Sequence, residues 1–333
     1  MTKLHTSVAA LQLVEKGLVT VDEDVSRLLP SFAEKEILTG FGDDGAPSTR
    51  KRKNPITLRL LLTHSAGAGY DFMSGDLAKV SKLRGPPKNP GTIDDAFDLP
   101  LLYEPGEAYA YSSSIDRVGQ VIEKLTGQKL EDYMRQNIWE PLGMENTTFF
   151  VDNHPEIKAR RVPMAFRADP SQPVVENADR KTFTTGLKEA FGGQGLLSSI
   201  KDYIKILHSL LVDDEKLLKK ETAAALFQPQ LTPASKASLL EQMKNPEWAV
   251  GDWPLTNEYD WGLGGILVDG DKHPYRKRGA LLWGGAANLT WFIDRTAGVC
   301  GTFGTQVMPP SDPQVRPIFK AFEEETYRRA GKL

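Results

Sequence analysis

Apolar residues recur at helical spacing at the start of the chain. They fall three or four positions apart on one face: Leu4, Val8, Leu11 and Val14. This is the period of an amphipathic helix, and Gly17 is a residue type that commonly follows a helix end. The pattern predicts a helix over residues 4–14, which places Lys3 in its first turn.

Further helical stretches follow up to about residue 250. The spacing of apolar positions predicts helices over residues 58–62, 115–126, 129–139 and 199–211. Gly127 separates the second of these from the third, and Ser198 or Ser199 is suited to cap the last one. The first 250 residues are therefore expected to form a mainly helical lobe.

A polar stretch, GFGDDGAPSTRKRKN, interrupts this part of the chain at residues 40–54. Its richness in Gly, Asp, Ser and Pro predicts a surface loop. The four consecutive cations at residues 50–53 would also suit a nuclear address or a phosphate-binding patch. The acidic balance of the rest of the chain favours a solvated loop.

The pattern changes after residue 250. Short apolar or alternating runs, separated by Gly and Asp, follow one another at residues 261–268, 276–283, 289–294 and 299–306. Such a succession predicts a meander of antiparallel strands. Apolar residues on one side of residues 313–329 predict a final helix. We therefore expect one α+β domain over residues 1–333, with a helical lobe at 1–250 and an antiparallel sheet and C-terminal helix at 251–333.

Composition and charge narrow the function. Of 333 residues, 40% are hydrophobic and 26% charged, as in ordinary globular proteins, and the net charge of −3 gives no reason to expect nucleic acid as a partner. No apolar run approaches the ~20 residues of a membrane-spanning helix. The five histidines are scattered, so we expect no metal and no cofactor. The single cysteine, Cys300, suits a reducing compartment, and we expect a cytoplasmic location.

Three short pieces of sequence could carry chemistry. The first is Lys3, the second is the run Tyr111, Ser112 and Ser113 before a predicted helix, and the third follows a predicted strand: Trp283, Gly284, Gly285 and Ala286. Each piece alone is more often structural than functional. Ser65 resembles a nucleophile, but Thr63 stands where the motif G-x-S-x-G needs its first glycine, and no strand precedes it.

Together and in this order, the three pieces resemble the penicillin-binding-protein and β-lactamase superfamily. The resemblance is closest to the branch of class C β-lactamases, family VIII carboxylesterases and fungal transesterases, which includes acyltransferases that load side chains onto polyketides. Other shared stretches are residues 61–67, 104–106, 141–144 and 192–196. The resemblance implies a β-lactamase/transpeptidase-like fold, in which an antiparallel sheet is flanked by helices.

The resemblance also implies roles for individual residues. The family transfers acyl groups through the serine of an S-x-x-K motif, whose lysine lies one helical turn away. Lys3 matches that lysine and Tyr111 matches the tyrosine that completes the proton relay. The backbone N–H of Ala286 would donate to the oxyanion, beside the N–H of the nucleophile itself. The resemblance also implies that four further residues contribute to the substrate-binding site: Trp283, Gly284, Gly285 and Ser113.

Two departures from the family pattern indicate the substrate. Ser113 replaces the Asn of the motif Y-x-N, and Trp283 replaces the Lys of the motif K-T-G, which pairs with the carboxylate of β-lactam antibiotics. An indole suits an apolar acyl group better than a cation does. We therefore expect a small-molecule ester or thioester as the substrate, with a carrier-bound acyl group as one form of donor, and little activity on β-lactams.

The position of Lys3 raises a further expectation. The nucleophilic serine belongs three residues before Lys3, directly ahead of Met1, and strands that complete the sheet in relatives would also precede it. We expect a start placed one residue late by a gene model or expression product, so that the chain as written is nearly inactive. The alternatives are a genuine non-catalytic protein that binds a small ligand and, less favoured, a β-lactamase.

Overall fold

A computed structural model describes residues 1–176 and 185–333 of the chain. The helices of this part are α1 Thr2–Glu15, α2 Pro30–Ala33, α3 Leu58–Leu62, α4 Gly75–Arg84, α5 Ile93–Ala96, α6 Ser114–Thr126, α7 Leu130–Met134, α8 Pro155–Lys158, α9 Ile200–Val212, α10 Lys220–Ala225, α11 Pro233–Gln242 and α12 Arg316–Arg329. A π-helical turn, Arg135–Trp139, continues α7. The predicted helices are therefore present, with ends that differ by at most three residues.

The strands are short before residue 250 and longer after it. They are β1 Ile37–Phe41, β2 Pro47–Arg50, β3 Thr147–Thr148, β4 Ala165–Phe166, β5 Val175–Glu176, β6 Leu197–Ser198, β7 Tyr259–Trp261, β8 Ile266–Val268, β9 Leu281–Gly285, β10 Leu289–Asp294, β11 Val299–Gly304 and β12 Val307–Met308. The last five of these before β12 form an antiparallel sheet in the order β11-β10-β9-β8-β7, and α9 and α12 pack against β11. The meander is thus observed, with a helix on it as predicted.

Two expectations about strands were wrong beyond shifts of strand ends, such as that of the run 276–283, whose strand β9 begins at Leu281. Residues 261–268 contain the end of β7 and the whole of β8, because the chain turns at Gly262, whose N–H donates to the carbonyl of Gly265 at 2.9 Å. A Cβ atom on Gly262 would lie 2.1 Å from the carbonyl oxygen of Leu226, so only glycine fits there.

The polar stretch at residues 40–54 is the second correction, because it contains the end of β1 and the whole of β2, which pair as an antiparallel hairpin. All of β2 is exposed, so its residues show no apolar alternation. Arg50 forms an ion pair with Glu104 at 2.6 Å, and Arg52 donates to the hydroxyl of Ser26 at 2.9 Å. Two of the four cations therefore fasten the hairpin to its surroundings.

The first helix is buried on every side. Its residues from Thr2 to Leu13 are all buried, because α1 packs against α6 and α7 on one side and reaches the sheet on the other. A Cβ atom on Gly264, between β7 and β8, would lie 3.1 Å from a methyl carbon of Leu4. The amphipathic helix predicted from spacing is therefore a central helix, and this rigid position fixes Lys3.

The structure also shows the predicted cap of α9, the surroundings of the single cysteine and the character of the helices. The side chain of Ser199 caps α9 by accepting the N–H of Asp202 at 3.1 Å, as expected. The thiol of Cys300 is partly buried, and this burial raises its pKa to about 11. In the described ranges, no helix combines the length and apolarity needed to cross a membrane. The cytoplasmic location stays a prediction.

Candidate active site

The amine of Lys3 lies inside the protein, at the start of α1. Its side chain is 6% exposed, and Nζ donates a hydrogen bond to the carbonyl oxygen of Gly193 at 2.8 Å. The same nitrogen lies 4.6 Å from the centre of the Tyr111 ring. Two residues that the sequence places 108 positions apart are therefore neighbours, as the family resemblance implies.

A glycine-rich segment, residues 192–195, holds this lysine from the other side. Thr6 donates from its hydroxyl to the carbonyl of Gly192 at 2.6 Å, and the N–H of Leu196 donates to the hydroxyl of Thr2 at 3.2 Å. A Cβ atom on Gly192 would lie 2.5 Å from the carbonyl oxygen of Ile115 in α6. Glycine at this position thus lets the segment fit between α1 and α6.

Tyr111 faces Lys3 from a wall of aromatic rings. Its phenolic oxygen accepts a hydrogen bond from the indole Nε1 of Trp283 at 3.2 Å, and the two ring centres lie 5.0 Å apart. The rings of Trp248 and Tyr70 lie 6.0 and 5.7 Å from that of Tyr111. The structure thus brings together Lys3, Tyr111 and Trp283, one from each of the three predicted pieces.

Behind Tyr111 lies His64, which the sequence analysis did not assign to the site. Its ring centre is 4.8 Å from that of Tyr111, and its Nδ1 accepts the N–H of Ser112 at 3.2 Å. Burial, and then the nearby charge of Lys3, lower the pKa of His64 well below its ordinary value, so the ring is neutral. Its φ of 55° is uncommon for histidine, and this strained position beside the tyrosine could have been suspected only from the shared stretch at residues 61–67.

The two serines near these residues are both buried. Ser65 is buried and its hydroxyl forms a hydrogen bond with that of Thr63 at 2.7 Å. Ser113 is buried at the start of α6 and is not among the residues that line the cavity described below. Its predicted contribution to substrate binding therefore stays a prediction.

The end of β9 lies beside the start of α1. The backbone nitrogen of Met1 lies 3.3 Å from the carbonyl oxygen of Gly284, and a Cβ atom on Gly285 would lie 3.2 Å from the Met1 side chain. Ala286 follows in the turn between β9 and β10 and lines the same cavity as Lys3. A residue joined to the nitrogen of Met1 would therefore lie next to the predicted oxyanion donor.

A cavity of about 1200 Å³ opens in front of these residues. Its floor includes Lys3, and apolar side chains form most of its wall: Met1, Tyr70, Phe72, Met73, Phe97, Tyr111, Phe191, Leu196, Trp248, Val250, Trp283 and Leu289. Phe72 is 77% exposed while it lines the cavity, so the cavity reaches the surface there. Arg160 and Arg161 line it as well. In the described ranges, no group of three or more His, Cys, Asp or Glu side chains could hold a metal ion.

The carboxyl group of Asp116 completes the surroundings of Lys3. It lies in the first turn of α6 and accepts the N–H of Gly193 at 2.9 Å. Burial raises its pKa to about 6, although the charge of Lys3 and the Gly193 N–H act in the opposite direction. No sequence motif marks this residue, and the one signal for it is an acid five positions after Tyr111.

Comparison with known proteins identifies the family. A sequence model described as Beta-lactamase matches residues 1–323. The chain belongs to the β-lactamase family. Among its relatives, lovastatin esterase from Penicillium rubens is 37% identical over 98% of this chain and 84% of its own length. Monacolin J acid methylbutanoyltransferase from Aspergillus terreus is 35% identical over 98% of this chain and 80% of its own.

Solved structures of this family agree with the fold. A mutant of simvastatin synthase from Aspergillus terreus superimposes with a TM-score of 0.92 at 37% identity, over 100% of this chain and 82% of the other. The predicted fold, an antiparallel sheet flanked by helices in the β-lactamase/transpeptidase manner, is confirmed. The predicted class, a serine esterase or acyltransferase of secondary metabolism, is confirmed as well.

Proposed function

We propose that this chain forms the acyl-transfer site of an enzyme that cleaves or makes the ester side chain of a polyketide-like small molecule. The observation that carries the proposal is the grouping of Lys3, Tyr111 and Trp283 around one apolar cavity of about 1200 Å³. Cavities of this size accommodate drug-sized molecules, and apolar walls suit an acyl chain and a carbon skeleton.

The attacking hydroxyl in this proposal is that of a serine joined to the nitrogen of Met1. Because residues three apart in a helix share a face, such a serine lies one turn from Lys3. The hydroxyl attacks the carbonyl carbon of the ester or thioester and gives its proton to the amine of Lys3, which takes part in this step in its unprotonated form. Tyr111 gives its proton to the leaving alcohol or thiol and regains one from the Lys3 ammonium. Water or an acceptor alcohol then attacks the acyl carbonyl, the acid or the new ester leaves, and the proton of the attacking hydroxyl returns to the serine oxygen.

The negative charge on the carbonyl oxygen forms next to the end of β9. In the proposal, the N–H of Ala286 and that of the serine donate to this oxygen, and one such donor typically contributes about 2.7–4 kcal/mol to transition-state stabilisation. Trp283 lies two strand positions from the turn and donates to Tyr111, so it cannot also pair with a substrate carboxylate as a lysine would. This arrangement supports an ester or thioester over a β-lactam.

The residues that line the cavity also support a proposal for the chemical class of the acyl acceptor and of the acyl donor. Arg160 and Arg161 line the cavity and suit a substrate with a carboxylate, as in the acid named for the relative from Aspergillus terreus. The opening at Phe72 gives a thioester on a flexible carrier arm a route to Lys3. We propose a carrier-bound thioester as one acyl donor, alongside free esters.

Active-site labelling tests the proposal. The 333-residue chain and the same chain with serine joined to Met1 are treated with a fluorophosphonate probe, and the intact masses are measured. We expect one label per molecule in the serine-bearing form only, and much slower labelling when Lys3→Met or Tyr111→Phe is introduced into it.

The outcomes separate the alternatives. One label per molecule on the 333-residue chain would contradict the proposal, as would a folded serine-bearing form that binds esters saturably without turnover. Hydrolysis of a chromogenic cephalosporin faster than of a chromogenic ester would instead support a β-lactamase. Product analysis with and without an added alcohol distinguishes hydrolysis from acyl transfer.

A further inference from the structure

Asp116 is a buried acid that the acyl-transfer steps above do not use. Its side chain is 0% exposed, at the first turn of α6. Oδ1 accepts the N–H of Gly193, whereas Oδ2 has no hydrogen-bond partner among the described residues. A carboxylate removed from water with one oxygen unsatisfied is costly, so a compensating interaction is expected nearby.

Gly193 connects this acid to Lys3. Its N–H donates to Asp116 at 2.9 Å, and its carbonyl oxygen accepts from the amine of Lys3 at 2.8 Å. A Cβ atom on Gly193 would lie 2.5 Å from Oδ2 of Asp116, so the close approach depends on glycine. The carboxylate of Asp116 therefore fixes the position of Gly193, whose carbonyl oxygen accepts the hydrogen bond of the Lys3 amine.

The charged and titratable groups around Asp116 come from three parts of the chain. Lys3 on α1 and Arg117 on α6 both favour its ionised form, while burial, and then the ionised form of Asp116, raise the pKa of Tyr70. Arg117 is engaged elsewhere, in an ion pair with Asp94 and a hydrogen bond to Gln120 at 2.9 Å. Lys3 is thus the cation whose charge Asp116 is placed to balance.

We propose that Asp116 is a positioning residue that sets the proton affinity of Lys3, through its charge and through its hold on Gly193. This inference rests on the proposed role of Lys3 as the base. A negative charge beside the lysine favours the ammonium, so it increases the affinity of the amine for the serine proton and lowers the share of unprotonated amine at a given pH. Without that charge, the pKa of Lys3 falls, and less driving force remains for proton transfer.

Two substitutions separate charge from geometry. Asp116→Asn removes the charge and keeps an oxygen that can accept the Gly193 N–H, whereas Asp116→Ala removes both. Asp294→Asn is the matched control, because Asp294 is equally buried and accepts the N–H of Ala297 at 2.8 Å, on the sheet side of the molecule. Thermal melting verifies that each variant is folded.

The measurement is a pH titration of the lysine side chains by NMR, in the 333-residue chain labelled with carbon-13 at Cε of lysine. The resonance of Lys3 is assigned by its loss in Lys3→Arg. We expect the pKa of Lys3 to fall by about one unit or more in Asp116→Asn, as removal of an adjacent opposite charge does, and to stay unchanged in Asp294→Asn. An unchanged pKa in folded Asp116→Asn would overturn the inference.

A second measurement follows the Lys3 resonance through acidic pH in the 333-residue chain and in Asp116→Asn. Because burial raises the pKa of Asp116 to about 6, the resonance should show a small additional inflection near that pH that Asp116→Asn removes. The amine of Met1, whose pKa burial and then Lys3 lower to about 5, gives an inflection that persists in Asp116→Asn, so the absence of any inflection removed by the substitution would also overturn the inference. Neither measurement needs turnover. Failure of the proposed esterase activity is therefore distinguishable from failure of this inference.

Discussion

The hydrogen bond between Trp283 and Tyr111 makes a quantitative prediction. The Trp283 side chain is 5% exposed, and its indole N–H donates to the phenolic oxygen at 3.2 Å. Trp283→Phe removes this donor and retains one aromatic ring among the surrounding rings. The substitution therefore tests the donor more than the packing.

The expected size of the effect follows from the charge on the tyrosine oxygen. A hydrogen bond between neutral groups contributes about 1 kcal/mol net, and one to a charged group about 1.5–3 kcal/mol. If Tyr111 carries negative charge while it transfers a proton, the indole stabilises the transition state by about 1–1.5 kcal/mol more than the ground state. The loss of this difference lowers kcat about tenfold.

Trp291→Phe is the matched control. Trp291 lies opposite Trp283 in the neighbouring strand, is 1% exposed, and its indole N–H has no hydrogen-bond partner among the described residues. Both substitutions remove the same atoms from the core, so both should lower the free energy of unfolding by about 1–3 kcal/mol in urea titrations.

The assay is hydrolysis of a chromogenic ester by the serine-bearing form of the chain. We expect kcat to fall about tenfold in Trp283→Phe and to change less than twofold in Trp291→Phe. Equal kcat values in the two variants would refute the role assigned to the indole N–H, and a loss confined to KM would assign Trp283 to substrate binding alone.

Three further predictions concern the oxyanion, the acceptor and pH. Ala286→Pro removes the proposed oxyanion N–H and should lower kcat about 10²–10³-fold in the ester assay while thermal melting stays near that of the parent; an unchanged kcat would exclude this donor. Arg161→Ala should raise KM about two- to fivefold for a carboxylate-bearing ester and leave a neutral ester unaffected, since an exposed charge pair contributes about 0.2–1 kcal/mol; equal effects on both esters would contradict a charge role. Burial, and then Arg276, lower the pKa of His273 to about 3. Because the unfolded chain binds this proton at a higher pH than the folded chain, the free energy of unfolding is highest above pH ~6.5 and decreases as the pH falls toward 3, by about 2 kcal/mol at pH 5. In urea unfolding at pH 7 and 5, the parent should lose about 2 kcal/mol more than His273→Gln. An equal change in the free energy of unfolding in both proteins would refute the prediction.

Local patterns predicted most of the secondary structure, and the misses have local causes. The spacing of apolar residues located α12, because this helix buries one side, and a short apolar run located β10, which is buried along nearly its whole length. The exposed hairpin of β1 and β2 escaped notice, since strands held by backbone hydrogen bonds need no apolar alternation. The central position of α1 was also missed, because its polar residues Thr2, His5 and Thr6 are buried by helices and sheet that lie far away in sequence.

By itself, the sequence determined the family, the fold class and three pieces of the candidate site. The short motifs around Lys3, Tyr111 and Trp283, and their order along the chain, can be recognised without a structure. Only the tertiary structure decided that Asp116 and Gly193 belong with Lys3. Gly193 lies 190 positions from the lysine it contacts. That contact, and the burial that raises the pKa of Asp116, arise when α1, α6 and the glycine segment pack together, and no local pattern encodes them.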